Sequence, residues 1–497
     1  MTSIAEAPVK NYQLYVDGQW TDSLSGRTYE SSNPFDGRVW ARVPDGDAAD
    51  IDRAVAAARN AFKKGPWSKM TGRDRARLMR RLADILARDY KELALAETTD
   101  NGKLLRESLG SSASWPDWYN YFAGMADKIE GSTIPSDRKN FFVYTRHEPI
   151  GVVGAILPWN SPILLLTFKL APGLAAGCTF VVKPSEFTPV STLEFAKRME
   201  EAGFPPGVFN VVTGGTAEAG RALVQHRGID KIAFTGSAQT AIAIGRASVE
   251  NLTPVTYELG GKSPNIIFDD ANLDIAVNGI LSGIFAASGQ TCMAGSRLLV
   301  QEGIHDVLVE RLAARTKTIR LGSPTEPETE MGPLANRPQL EKVLYYLDVA
   351  KAEGVQIVCG GRARPDLGEL FVEPTILTNV RNEMRVATEE IFGPVLSVLR
   401  FSTEEEAIEI ANETRYGLAA AVWTENIRRA HRVAHALQAG TVWINAYRTV
   451  AHNAPFGGYK MSGWGRENGV DAVREYTQTK SVYVELEGAT RDPFILG

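Results

Sequence analysis

Two glycine-rich segments carry side chains that could act on a substrate. Glu258 lies in ELGGKSP (258–264), and Cys292 lies in SGQTCMAGSR (288–297). A thiolate is intrinsically nucleophilic, so Cys292 is a candidate nucleophile, and the flanking glycines allow the backbone to approach a ligand closely. The alternative is a buried, unreactive thiol, as most free cysteines are. Cys178 and Cys359 fit that second interpretation.

Three further clusters follow strand-like segments, where α/β proteins place their ligands. Asn160 ends LPWN (157–160), and the alternative there is a simple Asn-capped turn. Lys183 and Glu186, in VVKPSE, could hydrogen-bond ribose hydroxyls, and the carboxylate would repel a 2′-phosphate. A solvated loop explains them equally well. FTGSAQTAIAIG (234–245) predicts a helix whose first amides suit a pyrophosphate, although the GxGxxG fingerprint is absent.

These residues must be positioned by alternating strands and helices. Short apolar runs bounded by Gly or Pro predict parallel strands, and the segments between them predict crossover helices. The predicted fold is therefore a doubly wound α/β sheet, with a second α/β domain where the alternation restarts after Gly260. Segments 127–147 and 477–487 alternate as β-strands away from both, and we expect a small protruding sheet. The principal predicted strands are 151–157, 180–184, 208–213, 231–236, 265–268 and 297–301.

Composition excludes several classes of protein. The chain has 497 residues, 44% hydrophobic and 23% charged, with a formal net charge of −5. This is ordinary globular composition with no basic surplus for nucleic-acid or anionic-membrane binding. The apolar stretch 151–182 is interrupted by Pro158, Pro162 and Pro172, so a buried core is favoured over a membrane helix. Three cysteines and an amino terminus without an apolar signal region predict a reducing, cytoplasmic location.

Taken in order, the motifs resemble the NAD(P)-dependent aldehyde dehydrogenase superfamily. PWN, KPSE, FTGS, ELGGKSP, GQxC, EEIFGP (389–394) and PFGGYKMSG (455–463) all stand at family-like spacing, and the resemblance runs from about Tyr15 to Val484. Seven motifs in order make coincidence very unlikely. One position departs from the family pattern, because Ala241 stands where the family usually has glycine.

The resemblance implies a catalytic mechanism. Cys292 would attack the aldehyde, and the Asn160 amide with the Cys292 backbone N–H would stabilise the oxyanion. Hydride would pass to the nicotinamide, and water activated by Glu258 would hydrolyse the thioester to a carboxylic acid. Lys169 and Glu467 match positions that relay protons from that base. Their alternative is a purely structural ion pair.

The resemblance also implies NAD as cofactor, with NADP possible because relatives carrying this glutamate sometimes accept both. The expected cofactor-binding residues are Trp159, Lys183, Glu186, Gly236, Ser237, Glu390 and Phe392. For Phe392, simple core packing is an equally good explanation.

The expected aldehyde tunnel is mixed aromatic and aliphatic. Its candidates are Trp115, Trp118, Ser161, Leu164, Phe168, Thr291, Met293, Val450 and Phe456. Arg448, near the predicted mouth, could bind a carboxylate at the far end of a substrate, which would favour a semialdehyde or a polar, ring-derived aldehyde. A surface arginine paired with a neighbouring group remains the favoured alternative.

The domain prediction is a coenzyme-binding domain (1–126 and 149–260), a catalytic domain (261–476) and an oligomerisation element (127–148 and 477–497). We expect a homodimer or homotetramer, a small-molecule aldehyde as substrate and no metal site. His431 and His435 have helical spacing but lack a third metal ligand.

Three other functions stay open. A CoA-acylating semialdehyde dehydrogenase would dispense with Glu258. A cysteine hydrolase would need a histidine brought to Cys292 by the fold. A non-catalytic protein would keep only the scaffold.

Overall fold

The computed structural model describes residues 8–488 and 492–494, and within them strands and helices alternate along most of the chain. The amino-terminal half contains β1 (Lys10–Asn11), β2 (Leu14–Val16), β3 (Gln19–Thr21), β4 (Thr28–Ser32), β5 (Val39–Pro44), β6 (Thr133–Ile134), β7 (Phe141–Pro149), β8 (Val152–Ile156), β9 (Thr179–Lys183), β10 (Phe209–Val211), β11 (Lys231–Thr235) and β12 (Val255–Glu258). The remainder contains β13 (Pro264–Ile267), β14 (Arg297–Gln301), β15 (Gln356–Cys359), β16 (Thr375–Thr378), β17 (Val395–Phe401), β18 (Ala419–Trp423), β19 (Thr441–Ile444), β20 (Gly463–Trp464) and β21 (Thr477–Glu485).

The helices cover the faces of the sheets. They are α1 (Ala48–Lys63), α2 (Gly72–Asn101), α3 (Leu105–Ser112), α4 (Trp115–Met125), α5 (Pro162–Ala176), α6 (Val190–Ala202), α7 (Ala217–Gln225), α8 (Ala238–Ser248), α9 (Leu273–Phe285), α10 (His305–Thr316), α11 (Arg337–Ala352), α12 (Arg385–Thr388), α13 (Glu404–Asn412), α14 (Ile427–Ala436) and α15 (Gly469–Glu475). The described residues include no helix long and apolar enough to cross a membrane.

The first large sheet has the strand order β20-β12-β11-β8-β9-β10-β2-β3. Its five central strands run parallel, and antiparallel strands close both edges. Strand order reverses where β8 lies between β9 and β11, and such a switch point opens a ligand crevice at the carboxyl ends of the strands. The doubly wound prediction is confirmed.

The second large sheet has the order β15-β16-β17-β14-β13-β18-β19. Every neighbouring pair is parallel except β15 with β16. Its first strand along the chain, β13, begins at Pro264, so the predicted restart of the alternation after Gly260 corresponds to a second sheet. The expected boundary at 476 remains a prediction, and β20 with α15 returns to the first sheet by pairing Gly463–Trp464 with β12.

A third sheet, β21-β7-β6, combines the two segments predicted to protrude. Its long antiparallel pair joins Thr477 to Pro149 at one end and Glu485 to Phe141 at the other. β21 is an edge strand, and Tyr483 on it is 68% exposed. Residues 489–491 and 495–497 of the predicted oligomerisation element lie outside the described residues, as do residues 1–7 of the predicted coenzyme domain.

The core of the first domain forms on both faces of its sheet. One face packs against α2, α4, α5 and α6 through large fully buried rings such as Trp67, Trp115 and Phe180. α2 starts at the Thr71–Asp74 capping box and ends at Gly102 in the left-handed conformation (φ 75°), which glycine adopts without strain. This framework fixes the strand ends that carry the candidate site.

Candidate active site

A cleft of about 600 Å³ collects most of the predicted catalytic and cofactor residues from both large sheets. It lies at the carboxyl ends of the strands of the first sheet, where the switch point predicts a ligand. Its lining residues are Pro158, Trp159, Asn160, Leu165, Thr235, Gly236, Ser237, Glu258, Leu259, Gly260, Cys292, Gln339, Lys342, Glu390 and Phe392. One continuous space therefore adjoins a thiol, carboxylates and a helix amino terminus.

The loop that carries Cys292 is held in an unusual backbone conformation. After α9 ends, Ala287 and Ser288 both adopt positive φ (51° and 55°), which is uncommon for residues with a side chain. The Glu107 carboxylate accepts a hydrogen bond from the Ala287 N–H at 3.0 Å, and Ser288 Oγ donates to the Gly332 carbonyl at 2.9 Å. These long-range bonds stabilise the strained turn that precedes the thiol.

Further hydrogen bonds fix the two sides of the Cys292 loop. Asn160 Nδ2 donates to the Gln290 carbonyl at 2.9 Å, and Gln290 Oε1 accepts from the Ala335 N–H at 2.9 Å. The Tyr447 hydroxyl donates to the Met293 carbonyl at 3.0 Å. The loop therefore has a fixed position relative to the Asn160 side chain.

Two donors near the thiol remain open to a ligand. A carboxamide carries two N–H bonds, and Asn160 uses one of them on Gln290. The Cys292 N–H donates to no backbone carbonyl within residues 8–488 and 492–494. A Cβ atom added at Gly261 would lie 2.9 Å from the Cys292 carbonyl oxygen. Only glycine therefore lets the backbone at position 261 approach the Cys292 loop this closely.

The resting thiol of Cys292 is a weak acid. Burial, followed by the nearby Glu258 and Glu390 carboxylates, raises its pKa to about 12. Deprotonation at neutral pH therefore requires a base or a change in the surroundings of the thiol.

Glu258 ends β12 and lies opposite Thr235, the last residue of β11. Its carboxylate lies beside Gly457 of the carboxy-terminal segment. A Cβ atom added at Gly457 would lie only 2.9 Å from Glu258 Oε1. Within the part of the chain described, Oε2 is buried without a hydrogen-bond partner. Burial and the neighbouring Glu467 raise the pKa of Glu258 well above its usual value, which makes its carboxylate a stronger base.

Behind Glu258, Lys169 and Glu467 form a fully buried ion pair. Lys169 Nζ also donates to Thr235 Oγ1 at 2.6 Å. Burial raises the pKa of Glu467, and Lys169 opposes that effect. The structure thus brings both predicted relay residues beside the predicted base.

The adenosine side of the predicted cofactor site follows β9. Lys183 Nζ lies 3.6 Å from Glu186 Oε2, with the lysine buried and the glutamate more exposed. Burial lowers the pKa of Lys183, and Glu186 partly offsets this. Lys183 ends β9 and Glu186 follows it, and neither side chain lines the cleft.

The amino terminus of α8 provides an anion site at the cleft. Ser237 is the N-cap, and its Oγ accepts from the Thr240 N–H at 3.1 Å. The Gly236 N–H donates to the Glu258 carbonyl at 3.1 Å, which joins this turn to β12. Ala241 is buried, so its methyl group packs toward the protein rather than into the cleft. The remaining amides and the helix dipole suit a pyrophosphate.

The other end of the cleft is shaped by Glu390 and Phe392. Glu390 Oε1 accepts from the Gly261 N–H at 3.1 Å, and Cβ at Gly260 would lie 2.2 Å from the same carboxylate. The Phe392 ring meets Trp159 edge to face, with centroids 5.3 Å apart. A carboxylate held beside a glycine cradle and two rings fits the nicotinamide riboside half of a dinucleotide.

The expected tunnel residues lie on another side of Cys292. Trp118 stacks on Phe168 with centroids 5.5 Å apart, and Phe168 meets Phe456 at 6.3 Å. Cys292, Met293, Val450 and Leu164 pack against the core cluster that contains these rings and the fully buried Trp115. The Thr291 hydroxyl is buried without a partner among the described residues. Trp118, Phe168 and Phe456 thus form an aromatic row within the core cluster against which Cys292 packs.

Comparisons with known proteins identify the family. A profile of the aldehyde dehydrogenase family matches residues 20–482. This chain belongs to the aldehyde dehydrogenase family. It is 45% identical to the (Z)-2-((N-methylformamido)methylene)-5-hydroxybutyrolactone dehydrogenase of Acinetobacter baylyi, over 98% of this chain and all of that protein.

Solved structures agree with this assignment. The NAD⁺ complex of the aldehyde dehydrogenase from Bacillus cereus matches with a TM-score of 0.94 and 47% identity, covering 96% of this chain and 97% of that one. Betaine aldehyde dehydrogenase from Staphylococcus aureus, also solved with NAD⁺, matches at 0.96 and 42%, covering 97% of each chain. The predicted fold class and enzyme class of this aldehyde dehydrogenase are confirmed, and its reaction is the oxidation of an aldehyde.

Arg448 adopts a positive φ of 65°, and its Nη1 donates to the Ser282 carbonyl in α9 at 3.1 Å. This contact is of the kind expected for a structural arginine. The residue is partly exposed, and a guanidinium group has further N–H donors besides the one used on Ser282.

Several residues that shape the site of this aldehyde dehydrogenase were missed from the sequence. Gln339 Nε2 donates to the carbonyls of Ile391 and Phe392, and Lys342 lines the cleft beside Glu390. Gln339 and Lys342 lie in α11, and neither belongs to a motif. Tyr447 lies shortly before PFGGYKMSG (455–463), and nothing in the sequence marks it as a residue of the site.

Proposed function

We propose that this aldehyde dehydrogenase converts its substrate to a carboxylic acid, with Cys292 as nucleophile, Glu258 as general base and NAD as hydride acceptor. One observation carries the proposal: the Cys292 thiol, the Glu258 carboxylate and the Asn160 amide line the same cleft. A nucleophile, a base and an oxyanion donor are the groups that thioester chemistry needs.

The first step is attack of the Cys292 sulfur on the aldehyde carbonyl. The thiol proton passes to the Glu258 carboxylate, which its raised pKa makes a stronger base. The second N–H of Asn160 and the backbone N–H of Cys292 then donate to the thiohemiacetal oxyanion. The bond from Asn160 to Gln290 holds that amide in place, so the site needs little reorganisation.

When bound, NAD supplies the hydride acceptor for the thiohemiacetal carbon. Glu390, Trp159 and Phe392 hold its nicotinamide end, Gly236 and Ser237 its pyrophosphate, and Lys183 with Glu186 its adenine ribose. Both solved relatives described above contain NAD⁺.

Hydrolysis completes the reaction. Glu258 removes a proton from water, the hydroxide attacks the thioester carbonyl, and the C–S bond breaks to release the acid and the Cys292 thiolate. Glu467 accepts the thiol proton from Glu258 before this step and the water proton after it, and its ion-pair partner Lys169, already an ammonium group, gives up a proton before it takes one. A CoA-acylating enzyme would need no such base, so the buried Glu258 supports hydrolysis.

The substrate class proposed is a semialdehyde or a polar, ring-derived aldehyde. The aromatic row beside Cys292 suits a ring, and Arg448 supplies a cation for an acidic far end. The Acinetobacter relative is a dehydrogenase of a substituted 5-hydroxybutyrolactone, which is a polar ring compound.

The protein is a homodimer or homotetramer in the cytoplasm. Exposed Phe142 and Tyr483 on the third sheet, together with its open β21 edge, support pairing with a second copy. Three free thiols support a reducing compartment. Light scattering on the purified protein measures the oligomeric state.

Rapid mixing with NAD and an aldehyde tests the catalytic proposal. Wild type should give a burst of NADH followed by steady turnover. Cys292→Ser should lose both phases, whereas Glu258→Gln should slow the burst, because the thiol loses its base, and should lose about 10²–10⁴-fold in thioester hydrolysis. Full turnover by Cys292→Ser, or a CoA thioester as product when CoA is present, would contradict the proposal.

A further inference from the structure

The segment that joins α2 to α3 contacts both of the loops that carry the reacting groups. This α2–α3 junction, residues 101–107, covers the last residue of α2, the loop after it and the first turn of α3. No residue of either helix is among the described residues that line the cleft. The mechanism described above therefore gives the junction no task, although it touches the loops of Asn160 and Cys292.

One end of the junction holds the loop that carries Asn160. Asn101 Nδ2 donates to the Asn160 carbonyl at 3.2 Å, and Lys103 Nζ donates to Ser161 Oγ at 2.9 Å. Ser161 is the N-cap of α5, but its side chain caps none of the N–H groups of that helix. Its hydroxyl serves the contact with Lys103 instead. The two bonds fix the backbone from which the Asn160 amide projects.

These two donors are themselves fixed in the protein interior. Lys103 Nζ also donates to Glu97 Oε1 at 2.7 Å, and the side chains of Lys103 and Glu97 are 10% and 0% exposed. Because separation of this pair would leave a buried unpaired charge, the Lys103 ammonium group has one strongly favoured position. The Lys103 N–H donates to Asn101 Oδ1 at 3.0 Å, which turns the Asn101 amide nitrogen toward Asn160.

The other end of the junction holds the turn that precedes Cys292. Both carboxylate oxygens of Glu107 accept from the Ala287 N–H, at 3.0 Å and 3.2 Å. The positive φ angles of Ala287 and Ser288 persist only where the surrounding structure maintains them. Loss of the Glu107 acceptor would release this turn and, with it, the position of the thiol.

Backbone contacts join the junction to the segment before α11. The Leu105 N–H donates to the Pro324 carbonyl at 2.9 Å, and a Cβ atom added at Gly332 would lie 2.5 Å from the Gly102 carbonyl oxygen. The Gly332 carbonyl also accepts from Ser288 Oγ at 2.9 Å. The junction, the segment before α11 and the nucleophile turn are therefore packed together as one unit.

We propose that the α2–α3 junction sets the distance between the Asn160 amide and the Cys292 sulfur, with Asn101 and Glu107 as positioning residues. The inference rests on the proposed function, in which the thiohemiacetal forms between these two groups. Neither positioning residue lines the cleft, so each acts through the loop that it holds. The spacing matters because a misplacement of about 1 Å between reacting groups can cost about 10²-fold in rate.

The test is the rate constant and the amplitude of the NADH burst in Glu107→Ala and Asn101→Ala, measured by stopped-flow absorbance at saturating NAD and aldehyde. Each variant should lower the rate constant about tenfold, since its loop is loosened but not displaced entirely. The amplitude counts the folded active sites and should be unchanged, as should KM for NAD. Glu107→Gln keeps an oxygen that accepts from the Ala287 N–H and should recover most of the rate.

Two further variants separate positioning from folding. Ser108→Ala removes the 3.0 Å bond from Thr98 Oγ1, which joins α2 to α3 without reaching either loop. It should lower Tm and leave the burst rate constant unchanged. Asn101→Asp keeps the acceptor for the Lys103 N–H and loses only the donor to Asn160, so it tests the same contact if Asn101→Ala folds poorly.

The outcomes distinguish this inference from the proposed function. An absent burst in wild type would defeat the proposed function. With a normal wild-type burst, a rate constant within twofold of wild type at either position would overturn the role of the junction alone. So would an equal slowing in Ser108→Ala, because any weakening of the two helices would then have the same effect.

Discussion

The Asn160 side-chain amide donates to the Gln290 carbonyl at 2.9 Å, across the boundary between the two large sheets. Asn160 follows the first sheet's β8, whereas Gln290 precedes the nucleophile and is itself fixed by the Ala335 N–H, in the loop before α11. The bond therefore aims the remaining amide N–H while setting the position of the Cys292 loop. A donor fixed in advance accelerates the reaction most when the charge that it stabilises appears only in the transition state.

Replacement of Asn160 tests this arrangement. Asn160→Ala should lower kcat about 10²–10³-fold, because one preorganised oxyanion donor is lost. The NADH burst should slow by a similar factor, since the oxyanion precedes hydride transfer. Steady-state and stopped-flow absorbance at saturating NAD measure both. Asn453→Ala, at an exposed asparagine, is the control, and a loss of less than twofold in Asn160→Ala would remove Asn160 from catalysis.

Glu186 should determine the choice between NAD and NADP. Its carboxylate lies 3.6 Å from Lys183 Nζ and would repel a 2′-phosphate. Glu186→Ala should weaken NAD use by about 1.5–3 kcal/mol in kcat/KM, the value of a hydrogen bond to a charged group. NADP use should stay the same or improve. Measurement of kcat/KM for both cofactors decides this, with the exposed Glu201→Ala as control; an NADP preference in wild type would contradict it.

Much of the fold could be predicted from the sequence because its signals are local. Apolar runs ended by Gly or Pro located β8, β9 and β11, and their alternation with helices required parallel strands. Cys292, Glu258 and Asn160 stand in motifs at those strand ends or in glycine-rich loops. Their convergence on one cleft then follows from the switch point of the sheet.

The parts not predicted depend on contacts between distant segments. The positive φ of Ala287 and Ser288 has no glycine to signal it, and Glu107, which stabilises that turn, lies far away in the sequence. The proximity of Gly457 to Glu258 likewise arises from tertiary packing. No local sequence pattern predicts such contacts, because neither residue of a contacting pair is unusual within its own segment.

The reactivity of Cys292 should depend steeply on pH in the cofactor-free enzyme. Burial raises the pKa of the thiol to about 12, with Glu258 and Glu390 adding to the effect. At pH values well below this pKa, the thiolate fraction therefore rises about tenfold for each unit by which the pH is increased. The rate of iodoacetamide modification should increase tenfold per unit from pH 7 to 9 without a plateau.

Mass spectrometry of the peptide that contains Cys292 measures this rate, with the fully buried Cys178 as an internal reference. A plateau between pH 7 and 8 would show that the resting thiol is already ionised. In that case Glu258 would not be needed to deprotonate it.

Arg448 should influence which aldehydes are used. Its guanidinium donates to the Ser282 carbonyl, and Arg448 is partly exposed on the same segment as Tyr447, which donates to the Met293 carbonyl. If its open donors bind a substrate carboxylate, Arg448→Ala should reduce kcat/KM for an ω-carboxy aldehyde by about 1.5–3 kcal/mol, roughly ten- to a hundredfold. The uncharged analogue of the same length should hardly change.

The matched pair of substrates separates this role from a structural one. Loss of the Ser282 contact affects the end of α9 and hence every substrate equally, because the nucleophile loop follows that helix. Arg448→Lys keeps the charge but not the planar fork, so it should recover part of the acidic preference if a bidentate contact is involved. Equal losses on both aldehydes in Arg448→Ala would mean that the Ser282 contact is the role of Arg448, and that substrate choice depends on the aromatic row alone.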